Sequence, residues 1–131
     1  MKRAILTVLM MTCGVAQASD WQLVASDLTD EDYVDTTTIR VTGHIRSARI
    51  KAVFASSTMR DPRGSSGWVD HFVALRQYNC ADETERTVEI TTYLNDGTNN
   101  SAQATSAAWR SVKPDSLDRG VMDFICAWKT K

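Results

Sequence analysis

Two cysteines, Cys80 and Cys126, constrain this chain more than any other feature, because its first residues direct them to an oxidising compartment. Lys2 and Arg3 precede a short apolar run, Ala4 to Met11, and Ala16-Gln17-Ala18 ends in the small-x-small pattern of a cleavage site. The run is too short to span a bilayer, which takes about 20 apolar residues. Residues 1–18 therefore read as an export signal, with Ser19 opening a mature domain of residues 19–131. A lipoprotein-type cut at Cys13 fits poorly, since Met10, Met11 and Thr12 stand where such a signal wants Leu and then small residues. Either cut leaves Cys80 and Cys126 to the folded domain. In an exported chain such a pair is expected to form one disulfide, two separate buried thiols being the alternative.

The 131 residues include 15 Lys or Arg and 16 Asp or Glu; without Lys2 and Arg3 the balance is 13 to 16, a net charge of −3. That speaks against a nucleic-acid surface, which would carry a basic excess. No second apolar span follows, so no transmembrane helix is expected in the mature chain.

Alternation and turn residues predict strands over most of the length. These are 21–26, 33–39 after the acidic stretch "DLTDED", 45–55 after a turn at Thr42-Gly43, 68–79, 85–94, and 101–109 after the hairpin signal Asn95-Asp96-Gly97. In the 45–55 strand Ala48, Ile50, Ala52 and Phe54 alternate with Ser47, Arg49 and Lys51, so the first set faces a core. The small Ala48 and Ala52 leave room for a bulky element across that face. A long loop is expected over 56–67. The last segment changes period: Leu117, Val121, Phe124, Ile125 and Trp128 form a helical stripe, with Pro114 suited to the first helical position. Cys126 lies off the stripe, so a disulfide there sits at the helix flank or the helix frays before it. Gly120 suits a close approach of helix to sheet. The fold class is α+β, an antiparallel meander with a C-terminal helix packed on one face and tethered by the disulfide.

Catalytic patterns are absent from the sequence. His44 and His71 lack partners at catalytic spacing, and Asp70 beside His71 should point to the opposite face of a regular strand. "GSSGW" (64–68) nearly spells a nucleophile elbow, but Trp68 takes the last glycine position and the scaffold is too small. Asp27, Asp30, Glu31, Asp32 and Asp35 lack calcium-loop spacing and are expected in a solvated loop. A disulfide removes the thiolates a transition metal would want, so neither metal nor cofactor is expected. A binding protein is expected, and not an enzyme.

Arg46, Arg49, Lys51, Arg60, Arg63, Arg76 and Arg86 crowd the middle of the chain. Paired in sequence order, their strands give an ordinary charged sheet face or, with the 56–67 loop, a basic patch. Aromatic side chains are expected mainly in the core. Trp68 is the exception, because it abuts the long loop and aromatic anchors dominate interfaces. Arg60, Arg63 and Trp68 are thus the candidate binding residues.

Taken in order, Trp21, Tyr33-Val34-Asp35, Ile39, Cys80, the strand from Arg86 to Tyr93, the glycine turn after it, Trp109, Pro114 and Cys126 resemble the surface-adhesin protein E family. The resemblance covers nearly the whole mature chain. It implies an antiparallel sheet with a disulfide-tethered C-terminal helix, and a non-catalytic module that contacts host matrix or serum glycoproteins at the bacterial surface. It carries over structural positions only, namely Cys80, Cys126, Trp21, Tyr33 and Asp35. The partners expected are proteins or glycans, with a homo-oligomer open through exposed sheet edges. The alternative is a soluble periplasmic binding or envelope-assembly module.

Overall fold

A computed structural model of the chain describes residues 18–54, 67–103 and 107–130. Residues 1–17 of the expected export signal lie outside them, as do Arg60 and Arg63 of the expected binding loop. Strands β1 (Trp21–Ser26), β2 (Asp30–Thr42), β3 (Ile45–Phe54), β4 (Val69–Asn79), β5 (Thr84–Leu94) and β6 (Asn99–Gln103) lie side by side in chain order. Each runs antiparallel to the next, and the two-residue β7 (Arg110–Ser111) pairs with β5. The helix α1 (Leu117–Ala127) follows. This is the α+β meander that the alternation implies. Gly43 and Gly97, at φ 60° and 86°, make the β2–β3 and β5–β6 turns in a region that other residues enter at a cost.

Residues directly paired across strands share a face. Val34 lies opposite Ile50, and Ile50 opposite Ala74, so one face is apolar through three strands. Val34, Ile39, Ala48, Ile50 and Tyr78 form the core on that face with Val112 and with Val121, Met122 and Ile125 of α1. The helix packs on β1, β2 and β3, over the small side chains of β3. A Cβ at Gly120 would stand 3.2 Å from the Ala25 Cβ, so the glycine does set a close approach to β1.

Two ties hold the last turn of α1. Cys126 is bonded to Cys80, just beyond β4, with the Cα atoms 5.8 Å apart. Arg46 reaches under the helix end, where its Nη1 donates to the carbonyls of Ile125 at 2.8 Å and Trp128 at 2.5 Å. Those carbonyls are among the acceptors a helix leaves unpaired at its C-terminus.

The ends of the elements differ from expectation. The helix begins at Leu117, not Pro114, because Ser116 takes the N-cap position and its Oγ accepts the Arg119 amide at 3.2 Å. Pro114 and Asp115 (φ 60°) form the turn before it. Trp128 is the C-cap, in extended conformation, rather than a helical residue. The strand expected over 101–109 corresponds to β6, described over Asn99–Gln103; residues 107–109 are not strand, and β7 begins at Arg110.

Candidate functional site

Helix α1 covers one face of the sheet, and no described element packs on the other. Register lays the side chains of this open face in rows. Trp21 stands opposite Asp35, Arg49 and Leu75 in turn, and Leu23 opposite Tyr33, Lys51 and Val73. A third row runs from Val53 through His71 to Tyr93.

Several rings on this face are held by charges. Lys51 Nζ lies 4.9 Å from the Trp21 ring centroid and 4.8 Å from that of Tyr33, a cation shared by two rings. The Tyr33 hydroxyl donates to Glu31 at 2.7 Å, and this bond raises the phenol's pKa. His71 stacks on Tyr93 with centroids 4.4 Å apart and planes 9° from parallel. The Arg86 guanidinium lies 4.6 Å from the Trp109 ring centroid, and its Nε donates to Gln77 at 2.7 Å. Leu23, 52% exposed, extends the apolar part of the face onto the edge strand β1. Rings fixed in this way contribute contact area with little ordering cost on binding, as aromatic anchors of interfaces do.

This placement corrects the expectation of an aromatic core. Tyr78 is fully buried, but Trp21, Tyr33 and Tyr93 line the open face, and Val, Ile, Ala and Met fill most of the space under the helix. The expected basic series also divides. Arg49, Lys51 and Arg86 lie on the open face, while Arg46 and Arg76 turn under α1 and pair with it.

Of the three residues expected to bind, only Trp68 falls among the described ones. It immediately precedes β4, is 37% exposed, and exchanges two bonds with Asn95. Its amide donates to Asn95 Oδ1 at 3.2 Å and its carbonyl accepts the Asn95 amide at 2.9 Å. His44 is exposed beside the β2–β3 turn, and its carbonyl accepts the Cys80 amide. The opposite-face expectation for Asp70 and His71 fails: Asp70 Oδ2 is 2.7 Å from His71 Nδ1. Val69 pairs Leu94 and His71 pairs Tyr93, so Asp70 is the extra residue of a bulge, and a bulge re-aims neighbouring side chains.

The acidic stretch is not a solvated loop throughout. Asp27 caps its own turn by accepting the amides of Thr29 and Asp30, but Asp32 and Asp35 are buried at 6% and 2% exposure. Asp32 faces the helix side, near a chain of charges linking α1 to the sheet. Arg76 Nη1 donates to Asp118 Oδ1 of α1 and lies 3.7 Å from Glu85 Oε2, while Arg110 Nη2 is 3.2 Å from Glu85 Oε1. Burial pushes the Asp32 carboxyl up to about 6 against the pull of Arg76, with Asp118, Asp30 and Asp27 adding repulsion. Burial raises the Glu85 carboxyl as well.

A pH dependence follows from these shifts. Below pH 6 the folded state holds a proton on Asp32 that the unfolded chain does not bind until near pH 4. Stability therefore rises as pH falls from 7 to 5, by about 1 kcal/mol from this group. Urea unfolding at the two pH values should show the gain, and Asp32→Asn should remove most of it while stabilising the domain at pH 7. Equal midpoints at both pH values would contradict the assignment.

The chain matches the model of a known family, surface-adhesin protein E, over residues 21–127. Its fold is similar to a crystal form II structure of Haemophilus influenzae protein E, at TM-score 0.63 and 15% identity, covering 92% of this chain and 97% of that one. It is also similar to protein E from non-typeable Haemophilus influenzae, at TM-score 0.56 and 16% identity, covering 89% and 82%. No curated protein sequence matches. The family match, which spans every strand and the tethered helix, shows that the chain belongs to the surface-adhesin protein E family and is, as a member, a surface-adhesin binding module.

Proposed function

We infer that this chain is exported, acts without catalysis, and contacts host or envelope proteins or glycans through the open face of its sheet. The observation that carries the reading is the array of Trp21, Tyr33 and Lys51 on a face that no described element covers. The rings supply the aromatic contact area favoured at the centre of protein interfaces, and the shared cation holds them in place. Arg49 and the exposed Leu23 border the array on the same face. Trp68, Arg60 and Arg63, the residues of the expected binding loop, make a second candidate contact, and of the three only Trp68 lies among the described residues. No helix among the described residues is long and apolar enough to cross a membrane.

Protease shaving of intact cells carrying a C-terminally tagged chain tests the placement. Loss of the tag on intact cells is the expected result. A protected tag that appears in osmotic-shock fluid would overturn the surface reading and favour a periplasmic binding module.

A further inference from the structure

A cavity of about 550 Å³ opens beside the start of β1, a kink in β2 and the residue that caps α1. Its chemistry comes from Asp20, Gln22, Thr36, Thr37, Arg40 and Trp128. The kink exists because β2 breaks register: the stretch from Asp35 to Arg40 passes only Arg49 to Ser47 on β3. Such a bulge redirects side chains that a regular strand would leave on the sheet faces. Buried Asp35 knots it together, with Oδ1 accepting the Thr37 hydroxyl at 2.7 Å and the amides of Thr37 and Asp20 at 3.1 Å each. Burial opposes the Asp35 charge, but these bonds hold its carboxyl below the usual range.

Three groups on the cavity are held in place. The Asp20 carboxylate accepts the Thr36 hydroxyl at 2.9 Å and the Gln22 side-chain amide at 3.4 Å. Arg40 Nη1 donates to the carbonyls of Thr37 and Ile39, both at 2.9 Å, which fixes the guanidinium plane and leaves Nε and Nη2 for a further acceptor. Arg40 forms no ion pair among the described residues. Trp128 is fixed by the hydrogen bond its backbone N–H donates to the Ile125 carbonyl, by Arg46 donating to its own carbonyl, and by the Phe124 ring at 5.5 Å. Part of the indole packs on the core and part lines the cavity.

The lining selects among ligands. A purely apolar ligand would desolvate Asp20 and Arg40 without pairing them. A small inorganic anion would use Arg40, gain nothing from the indole, and meet the charge of Asp20. A pyranose ring can lay its C–H face on the indole and offer neighbouring hydroxyls to the carboxylate and amide, and a carboxylate on the ring can take the free fork of Arg40. The volume lies within the ordinary range of small-molecule sites, about 300–1,000 Å³. We propose that this cavity binds a carboxylate-bearing sugar, a uronic or sialic acid residue of a glycan. The site is separate from the open face, so it stands or falls independently of the contact surface assigned above.

Titration of the mature domain with glucuronic acid, glucose and acetate, followed by tryptophan fluorescence and by ligand-observed NMR, tests the proposal. Glucuronic acid should give a saturable response, glucose should bind about tenfold more weakly, and acetate should give none at matched concentration. Arg40→Gln, a change at an exposed side chain, should reduce the affinity for glucuronic acid to that for glucose. Trp128→Phe keeps an aromatic wall on the core and should weaken both sugars, whereas Trp21→Ser on the open face should change neither. No saturable response to glucuronic acid would overturn the proposal. So would an acetate response equal to that of glucuronic acid, which marks a simple anion site, or an Arg40→Gln variant with unchanged affinity for glucuronic acid.

Discussion

Replacing Cys80 and Cys126 together by serine should lower the unfolding free energy by about 4 kcal/mol and the melting temperature by roughly 10–20 °C. The bond closes a separation of 46 residues that contains β5, β6, β7 and nearly all of α1. Opening it frees that loop in the unfolded chain, which is the larger part of the effect in the chain-entropy model. The folded side loses as well. An 11-residue helix is marginal alone, so α1 depends on what pins it to the sheet. Without the bond, Arg46 and the packing of Val121, Met122 and Ile125 remain as ties. Denaturant unfolding of the wild type with and without reductant should reproduce the difference between wild type and the double serine variant. A loss below about 1 kcal/mol would mean that apolar packing alone fixes the helix.

Arg76→Met should cost about 3 kcal/mol at pH 7, through a different mechanism. Arg76 is the cation between Asp118 of α1 and Glu85 of β5, and it offsets the buried charge of Asp32. Methionine fills much of the same space but leaves the nearly inaccessible Glu85 with Arg110 as its only ion-pair partner among the described residues. Breaking a buried pair by removing one partner is costly because the other keeps its desolvation penalty. Two further results would separate this from lost packing. The penalty should shrink at pH 5, where Asp32 and Glu85 take up protons more readily, and adding Glu85→Gln should recover much of the loss. A penalty that is the same at pH 5 and pH 7 would point to packing instead.

The fold was legible because its signals are local. Alternation through Ala48, Ile50 and Ala52, the Asn95-Asp96-Gly97 turn and the apolar stripe from Leu117 to Ile125 each report on a few neighbouring residues. The cysteine pair supplied the one long-range restraint. What stayed hidden depends on register. Period two divides side chains between two faces but does not say which face a helix will cover, so Trp21 and Tyr33 read as core although they lie on the open face. Arg46 and Arg76 read as members of a surface series because their partners are 79 and 42 residues away in sequence. The β2 bulge was invisible for a further reason: Thr36, Thr37 and Thr38 have high strand propensity, and the bend shows in the β2–β3 register and in the bonds of Asp35 and Thr38. The Asp70 bulge concealed the contact with His71 in the same way. At the helix start Pro114 gave a plausible signal, but Ser116 made the better cap.

The most direct measurement is binding of the purified mature domain to an immobilised panel of matrix glycoproteins and glycans, wild type beside a Trp21→Ser/Lys51→Glu variant whose melting temperature is checked first. An adhesin that works through its open sheet face should bind at least one panel member saturably, and the variant should lose about tenfold or more in affinity while remaining folded. Undiminished binding by a folded variant would contradict the open face as the contact surface.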